Sequence, residues 1–293
     1  MSGLVMDAFG DFFGTTTQGG PFLRGTIYEI SGGTEFLLYF FKGSDGEAPE
    51  GNLIMDGAGN LYGTTSLGGP NGAGTVFKYS SSFGSLIKLY SFGNYSDDGV
   101  GPAASLCLAK GVLYGTTTQG GRYRWGTVFS VNVKTQIETI LVDFRGGLNG
   151  GTPTGGLVTD GLGNLYGTAS AGGSVHGTAG NGVVFKLNIK SGKYSVLHTF
   201  TGLDGAQPTG PLTTDGLGNF FGTTFAGGTH GYGTVFTFNS NGTLTTLYNF
   251  TNGTDGANPY SGVILDSTGN IYGTATRGGQ DGWGTLFEIT PGP

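Results

Sequence analysis

The chain has 293 residues, of which 11% are charged, and a net charge of -6 that argues against nucleic acid or an anionic membrane as its main partner. Sixty-three glycines without a Gly-X-Y period exclude collagen, and 13% aromatic residues supply a core that disordered glycine-rich chains lack. No stretch approaches the ~20 apolar residues that span a bilayer, and the single Cys107 has no partner for an internal disulfide.

Read from its start, the chain repeats one pattern six times. Gly-Thr follows an aromatic residue, Gly-Gly follows it, and a Gly-Thr-Val-Phe run or a close variant of it closes the pattern in each copy. The first glycine of each copy is Gly14, Gly63, Gly115, Gly167, Gly222 and Gly273. A period of about fifty residues marks a propeller or a similar array. The copies span about 1–49, 50–102, 103–153, 154–208, 209–259 and 260–293, so 1–293 reads as a single propeller domain with no linker.

The fifth copy displays the elements most plainly. A short extended run, Gly210 to Asp215, is strand a, a Gly-Leu-Gly-Asn turn follows, and Phe220 to Thr224 is strand b. Gly227-Gly228 opens a loop, Gly233 to Phe238 is strand c, and Leu244 to Phe250 is strand d. Four antiparallel strands joined by hairpins make one blade, and six copies predict an all-β, six-bladed β-propeller. The aromatics Phe13, Tyr62, Tyr114, Tyr166, Phe221 and Tyr272 are expected to pack against the neighbouring blade, with the glycine after each leaving room where sheets crowd. The sixth copy stops after strand c. Either the last blade is three-stranded or an N-terminal segment ending in a d strand has been trimmed; an uncovered c strand is an edge that another chain can pair with.

The recurring acids read as turn formers. Asp7, Asp56, Asp160, Asp215 and Asp266 end strand a, and Asp45, Asp98, Asp204 and Asp255 precede glycine between strands d and a. The third copy replaces the usual turn with Leu108-Ala-Lys-Gly-Val112, which alters one hairpin without breaking the blade. Cys107 occupies an apolar strand position and His198 lies on strand d, and both read as structural.

The string Gly-Asn-Leu-Tyr-Gly-Thr-Thr with Gly-Gly and Gly-Thr-Val-Phe resembles the GloVer tandem repeat from Gly3 to about Ile289, and the Gly-Gly after strand b resembles kelch propellers. The resemblance implies a propeller and an extracellular or cell-surface origin, with an export signal absent from this sequence. It implies no shared chemistry.

What varies is the b-to-c loop: Pro21 to Arg24, Pro70 to Ala73, Arg122 to Trp125, Ser174 to Asn181, Thr229 to Tyr232 and Gln280 to Trp283. These loops share a face with the d-to-a connections. All five arginines map there or to its strand edge, as do both tryptophans. Arg brings a bidentate fork and a stacking plane, and Trp and Tyr bring flat platforms suited to sugar rings. The expected ligand-binding residues are Arg24, Arg122, Arg124, Trp125, Arg145, Arg277, Asp281 and Trp283. Trp125, Tyr232 and Trp283 equally suit a packing role between blades. The leading expectation is an extracellular module binding a glycan, an anionic polysaccharide above all. One alternative is a polysaccharide lyase or glycoside hydrolase on the same face, with Tyr123, His176, His230 and Tyr232 as the available proton-transfer groups. A hydrolase needs two facing carboxyls, and the nonrepeating acids are Asp281, Asp143, Asp97 and Glu47. The other alternative is a kelch-type protein-interaction scaffold. No cofactor or metal is expected, since no nucleophile elbow, phosphate loop or metal-spaced histidine pair is present.

Overall fold

Alternation of apolar and small polar residues, interrupted by Gly-rich turns, folds each copy into an antiparallel sheet. The computed structural model describes residues 3–174 and 180–290. The chain divides into two units, Met1–Asp143 and Phe144–Pro293, with three blades in each.

In the first unit, blade 1 consists of β1 (Val5–Met6), β2 (Phe12–Thr16), β3 (Thr26–Ser31) and β4 (Thr34–Phe40). Blade 2 consists of β5 (Ile54–Met55), β6 (Leu61–Thr65), β7 (Thr75–Ser80) and β8 (Ser85–Ser91). The short β9 (Gly99–Val100) follows. Blade 3 holds β10 (Cys107–Ala109), β11 (Val112–Thr117), β13 (Thr127–Asn132) and β14 (Glu138–Asp143), while β12 (Gln119–Gly120) pairs with β9.

In the second unit, blade 4 is β15 (Val158–Thr159), β16 (Asn164–Ala169), β17 (Val183–Asn188) and β18 (Tyr194–Thr199). Blade 5 is β19 (Thr213–Thr214), β20 (Asn219–Thr224), β21 (Thr234–Asn239) and β22 (Leu244–Asn249). Blade 6 has three strands, β23 (Ile264–Leu265), β24 (Ile271–Ala275) and β25 (Thr285–Ile289). The fold class is therefore the all-β, six-bladed β-propeller that the repeat predicts, with a three-stranded last blade. No helix among the described residues is long and apolar enough to cross a membrane.

Within each unit the core lies between successive blades. Phe13, Ile27 and Phe41 of blade 1 meet Leu53, Leu61, Phe77 and Tyr79 of blade 2, and Tyr62, Val76 and Phe92 of blade 2 meet Leu106, Leu113 and Phe129 of blade 3. Tyr166, Val184 and Phe200 meet Leu212, Phe220 and Phe236 in the same way. A phenylalanine at the end of strand d sits edge-on to the c-strand phenylalanine of the next blade, as in Phe41–Phe77 at 5.2 Å, Phe92–Phe129 at 4.9 Å and Phe200–Phe236 at 5.3 Å. Such pairs add about 0.5–1.5 kcal/mol to the area they bury.

The marker glycine has a more local reason than crowding between sheets. Gly63 faces Phe77 in register within one blade, and a Cβ there would lie 2.6 Å from the ring. The glycine makes space for its own blade's aromatic ring. A second glycine, Gly74, holds φ at +97° and packs against Pro102 of the next connection, which explains why Gly-Thr and Pro recur together.

The recurring acids are turn formers. Asp56 Oδ1 accepts from the backbone N–H of Ala58 and Asn60 at 2.9 Å, and its Oδ2 accepts from the Tyr62 hydroxyl at 2.9 Å. Burial pushes the Asp56 carboxyl up, but the bonds from Asn60, Tyr62 and Ala58 together hold it below the usual carboxylate range. Asp160 repeats the arrangement, and Asp215 repeats its backbone bonds without the hydroxyl, since Phe221 stands where Tyr62 does. In blade 3, Lys110 (φ +51°) and Gly111 (φ +77°) form a two-residue turn in place of it, and the hairpin survives. Cys107 is half-buried, opposite Tyr114.

Candidate functional site

The d-to-a connections pair with the b-to-c loop of the following copy through the bridges Glu47–Leu67, Gly151–Ala171, Ala206–Ala226 and Ala257–Arg277. Both kinds of loop therefore lie side by side, as the strand order requires. The variable residues are carried on backbones that are themselves hydrogen-bonded.

Blade 3 shows this most fully. Asp143 Oδ1 accepts from the Arg122 backbone N–H at 2.9 Å, Arg124 N–H donates to the Gly121 carbonyl at 3.1 Å, and Gly126 N–H donates to the Gly120 carbonyl at 3.1 Å. Arg124 is held at φ +63°, a conformation a non-glycine residue adopts only when its surroundings impose it. Arg122, Tyr123 and Arg124 are exposed and Trp125 is half-buried. The Arg122 guanidinium lies 5.8 Å from the Tyr123 ring centroid, a cation–π contact that still leaves its N–H fork open to water. Among the described residues neither Arg122 nor Arg124 enters an ion pair.

Arg24 sits differently. Its guanidinium pairs with Glu47 across a shallow cavity of about 490 Å³ that Lys42, Gly43, Leu67 and Pro70 help to line. Its charge is locally balanced. Two of the acids that a hydrolase would need are likewise engaged: Glu47 by Arg24, and Asp143 by the Arg122 backbone.

In the second unit, Thr229 Oγ1 contacts His230 Nδ1 at 3.0 Å, and both His230 and Tyr232 are exposed. The Tyr232 carbonyl accepts from Asn258 N–H at 2.8 Å, tying the loop to the next connection, where Ala257 bridges Arg277. Arg277, Asp281 and Arg145 are exposed, and Trp283 is 90% exposed, so blade packing does not account for its ring. His176 lies outside the described residues. The histidine read as structural, His198, contacts Asp204 through Nε2 at 2.8 Å, at the place where Tyr90 and Tyr248 donate to Asp98 and Asp255. Among the described residues no group of three or more His, Cys, Asp or Glu is placed to hold a metal ion.

Two residues behind the blade 3 loop belong to no motif of the repeat. The Tyr95 hydroxyl donates to Glu138 Oε2 at 2.9 Å. The signal was a length: the connection from Phe92 to Asp98 is two residues longer than those from Phe41 to Asp45 and from Phe200 to Asp204.

The model of the Gloeobacter/Verrucomicrobia repeat matches residues 1–179 and 174–292. Among solved structures, the chain is similar to one in the crystal structure of a nidogen/laminin complex, with a TM-score of 0.58 and 14% identity over 96% of this chain and 93% of that one. It is also similar to TolB from Acinetobacter baumannii, with a TM-score of 0.52 and 16% identity over 80% of this chain and 50% of that one. At these identities the likeness is one of fold. None of the curated protein sequences compared with the chain matches it.

Proposed function

This chain belongs to the Gloeobacter/Verrucomicrobia repeat family, and from that premise we propose that it is an extracellular carbohydrate-binding propeller whose blade 3 loop, Arg122 to Trp125, takes an acidic glycan. The observation that carries this reading is the exposed pair of Arg122 and Tyr123, beside Arg124, on a backbone pinned by Asp143 and the Gly120-Gly121 turn. Two guanidinium groups without an acidic partner among the described residues suit carboxylate or sulfate oxygens, which accept bidentate bonds. The Tyr123 ring and the half-buried Trp125 give apolar surface for a sugar face. A pinned backbone lowers the ordering cost of binding. The low charge density of the chain suits a secreted β protein.

The outer edge of β25 carries no fourth strand among the described residues, and edge pairing with another chain is a further contact this reading allows.

The test is incubation with a panel of acidic and neutral polysaccharides, following binding together with absorbance of unsaturated products and reducing ends. Saturable binding to acidic members, weakened by salt and without product release, is the expected result. Product release turns the reading to a lyase or hydrolase. Absence of binding to every member turns it to a protein-interaction scaffold.

A further inference from the structure

The long connection between Phe92 and Asp98 reaches out of blade 2 and touches the outer strand of blade 3. Tyr95 makes the contact, donating to Glu138 Oε2 at the start of β14. The other carboxyl oxygen, Oε1, is shielded from solvent and has no hydrogen-bond partner among the described residues. A shielded oxygen without a partner is tolerated far better on a neutral acid than on a carboxylate.

The same connection also supports the candidate loop. The Asp98 carbonyl accepts from Gly121 N–H at 2.8 Å, and β9 pairs with β12 just before Arg122. Asp98 is itself buried, its Oδ2 accepting from Tyr90 Oη and Asn94 N–H, each at 2.9 Å. Asp98 N–H in turn donates to the Tyr95 carbonyl at 3.1 Å, so a continuous run of hydrogen bonds joins Tyr95 to the Gly120-Gly121 turn.

We infer that Tyr95 and Glu138 form a proton-controlled strap that positions the Arg122–Trp125 loop, held while Glu138 is protonated and loosened when its carboxyl ionises, because a shielded charge with an unpartnered oxygen is disfavoured by more than the strengthened Tyr95 bond offsets. The link to ligand affinity rests on the glycan reading of that loop; the strap itself does not. Burial pushes the Glu138 carboxyl up to about 7, with the Tyr95 bond pulling it down and the nearby charge of Asp98 raising it further. Burial also raises the Tyr95 hydroxyl, which stays a donor throughout. The titratable groups facing Glu138 are Tyr95 and Asp98 on the connection and, behind them, Tyr90 on β8; its register partner on β13, Val131, brings no charge.

Hydrogen exchange on the intact chain, measured about one pH unit below and above Glu138's value of about 7 and corrected for the intrinsic rate, tests the strap directly. Over residues 93–99 and 119–126, protection is expected to be about tenfold greater at the lower pH, following the protonated fraction. Glu138→Gln, which keeps an acceptor for Tyr95 and cannot ionise, should be protected equally at both. Tyr95→Phe should lose the protection at the lower pH. Equal protection of the wild-type chain at both pH values, or the same pH dependence in Glu138→Gln, overturns the inference. No polysaccharide is present in this experiment, so a failure to bind glycan counts against the glycan reading alone.

Discussion

Blades 2 and 3 share one frame and differ in what they hold out from it. Phe77 and Phe129 are both fully buried, and Thr65–Thr75 and Thr117–Thr127 are hydroxyl pairs at 2.9 Å in both. In blade 2 the loop is tied to the connection that follows strand d: Asn71 Nδ2 donates to Asn94 Oδ1 at 3.1 Å, and Ala73 is buried. Blade 3 places Arg122, Tyr123 and Arg124 at the same level, exposed, with the Arg122 guanidinium over the Tyr123 ring and the Arg122 backbone N–H held by Asp143. The frame is set by residues that recur, and the non-recurring loop residues differ from blade to blade in how far their side chains are tied to it.

Substitutions can break that division in order of size. Phe129→Ala removes the ring that meets Phe92 and fills the space over Gly115, and is expected to cost about 3–5 kcal/mol by denaturant unfolding. Gly115→Ala attacks the same packing from the other side, since its Cβ would lie 2.5 Å from Phe129; overpacking of this kind costs about 1–3 kcal/mol. Asp56→Ala leaves the Ala58 and Asn60 N–H groups and the Tyr62 hydroxyl without their acceptor, a loss of about 1–2 kcal/mol that should leave glycan binding intact. Arg122→Ala with Arg124→Ala should change stability by no more than about 0.5 kcal/mol. If that pair of changes unfolds the chain, the loop belongs to the frame after all.

Acid and base separate the two regions further. Asp56, Asp160 and Asp215 have folded values held below their ordinary ones, so their contribution is complete above about pH 4 and is lost as pH falls below it. Glu138 works in the opposite sense. Its folded value of about 7 lies above the ordinary 4.5, so stability declines as pH rises between those values and then levels. Thermal melts across this range should show a maximum near the lower bound. Glu138→Gln should flatten the decline toward neutral pH without touching the acid limb.

Most of the frame was legible because repetition exposes it. The turn role of Asp56, the altered hairpin at Lys110-Gly111 and the aromatic contacts between blades all follow from residues that recur, or fail to recur, at one position. The reason for Gly63 was not legible, because facing Phe77 within one blade depends on register, and alternation alone does not assign the partner across a hairpin. In the candidate site, the exposure of Arg122 to Arg124 was legible from composition and place. The pairing of Arg24 with Glu47 was not, since it joins the b-to-c loop and the d-to-a connection of the first copy through side chains that do not repeat. Tyr95 and Glu138 are 43 positions apart, and only the extra length of one connection hinted at them.

The central claim, that blade 3 carries the binding surface while the repeat carries the fold, is tested most directly by titrating an acidic polysaccharide into the wild-type chain and the Arg122→Ala, Arg124→Ala variant, with melting temperatures measured on the same samples. Saturable, salt-sensitive binding by the wild type, and its loss in the variant at an unchanged melting temperature, is the predicted result. Equal binding by both proteins would contradict it.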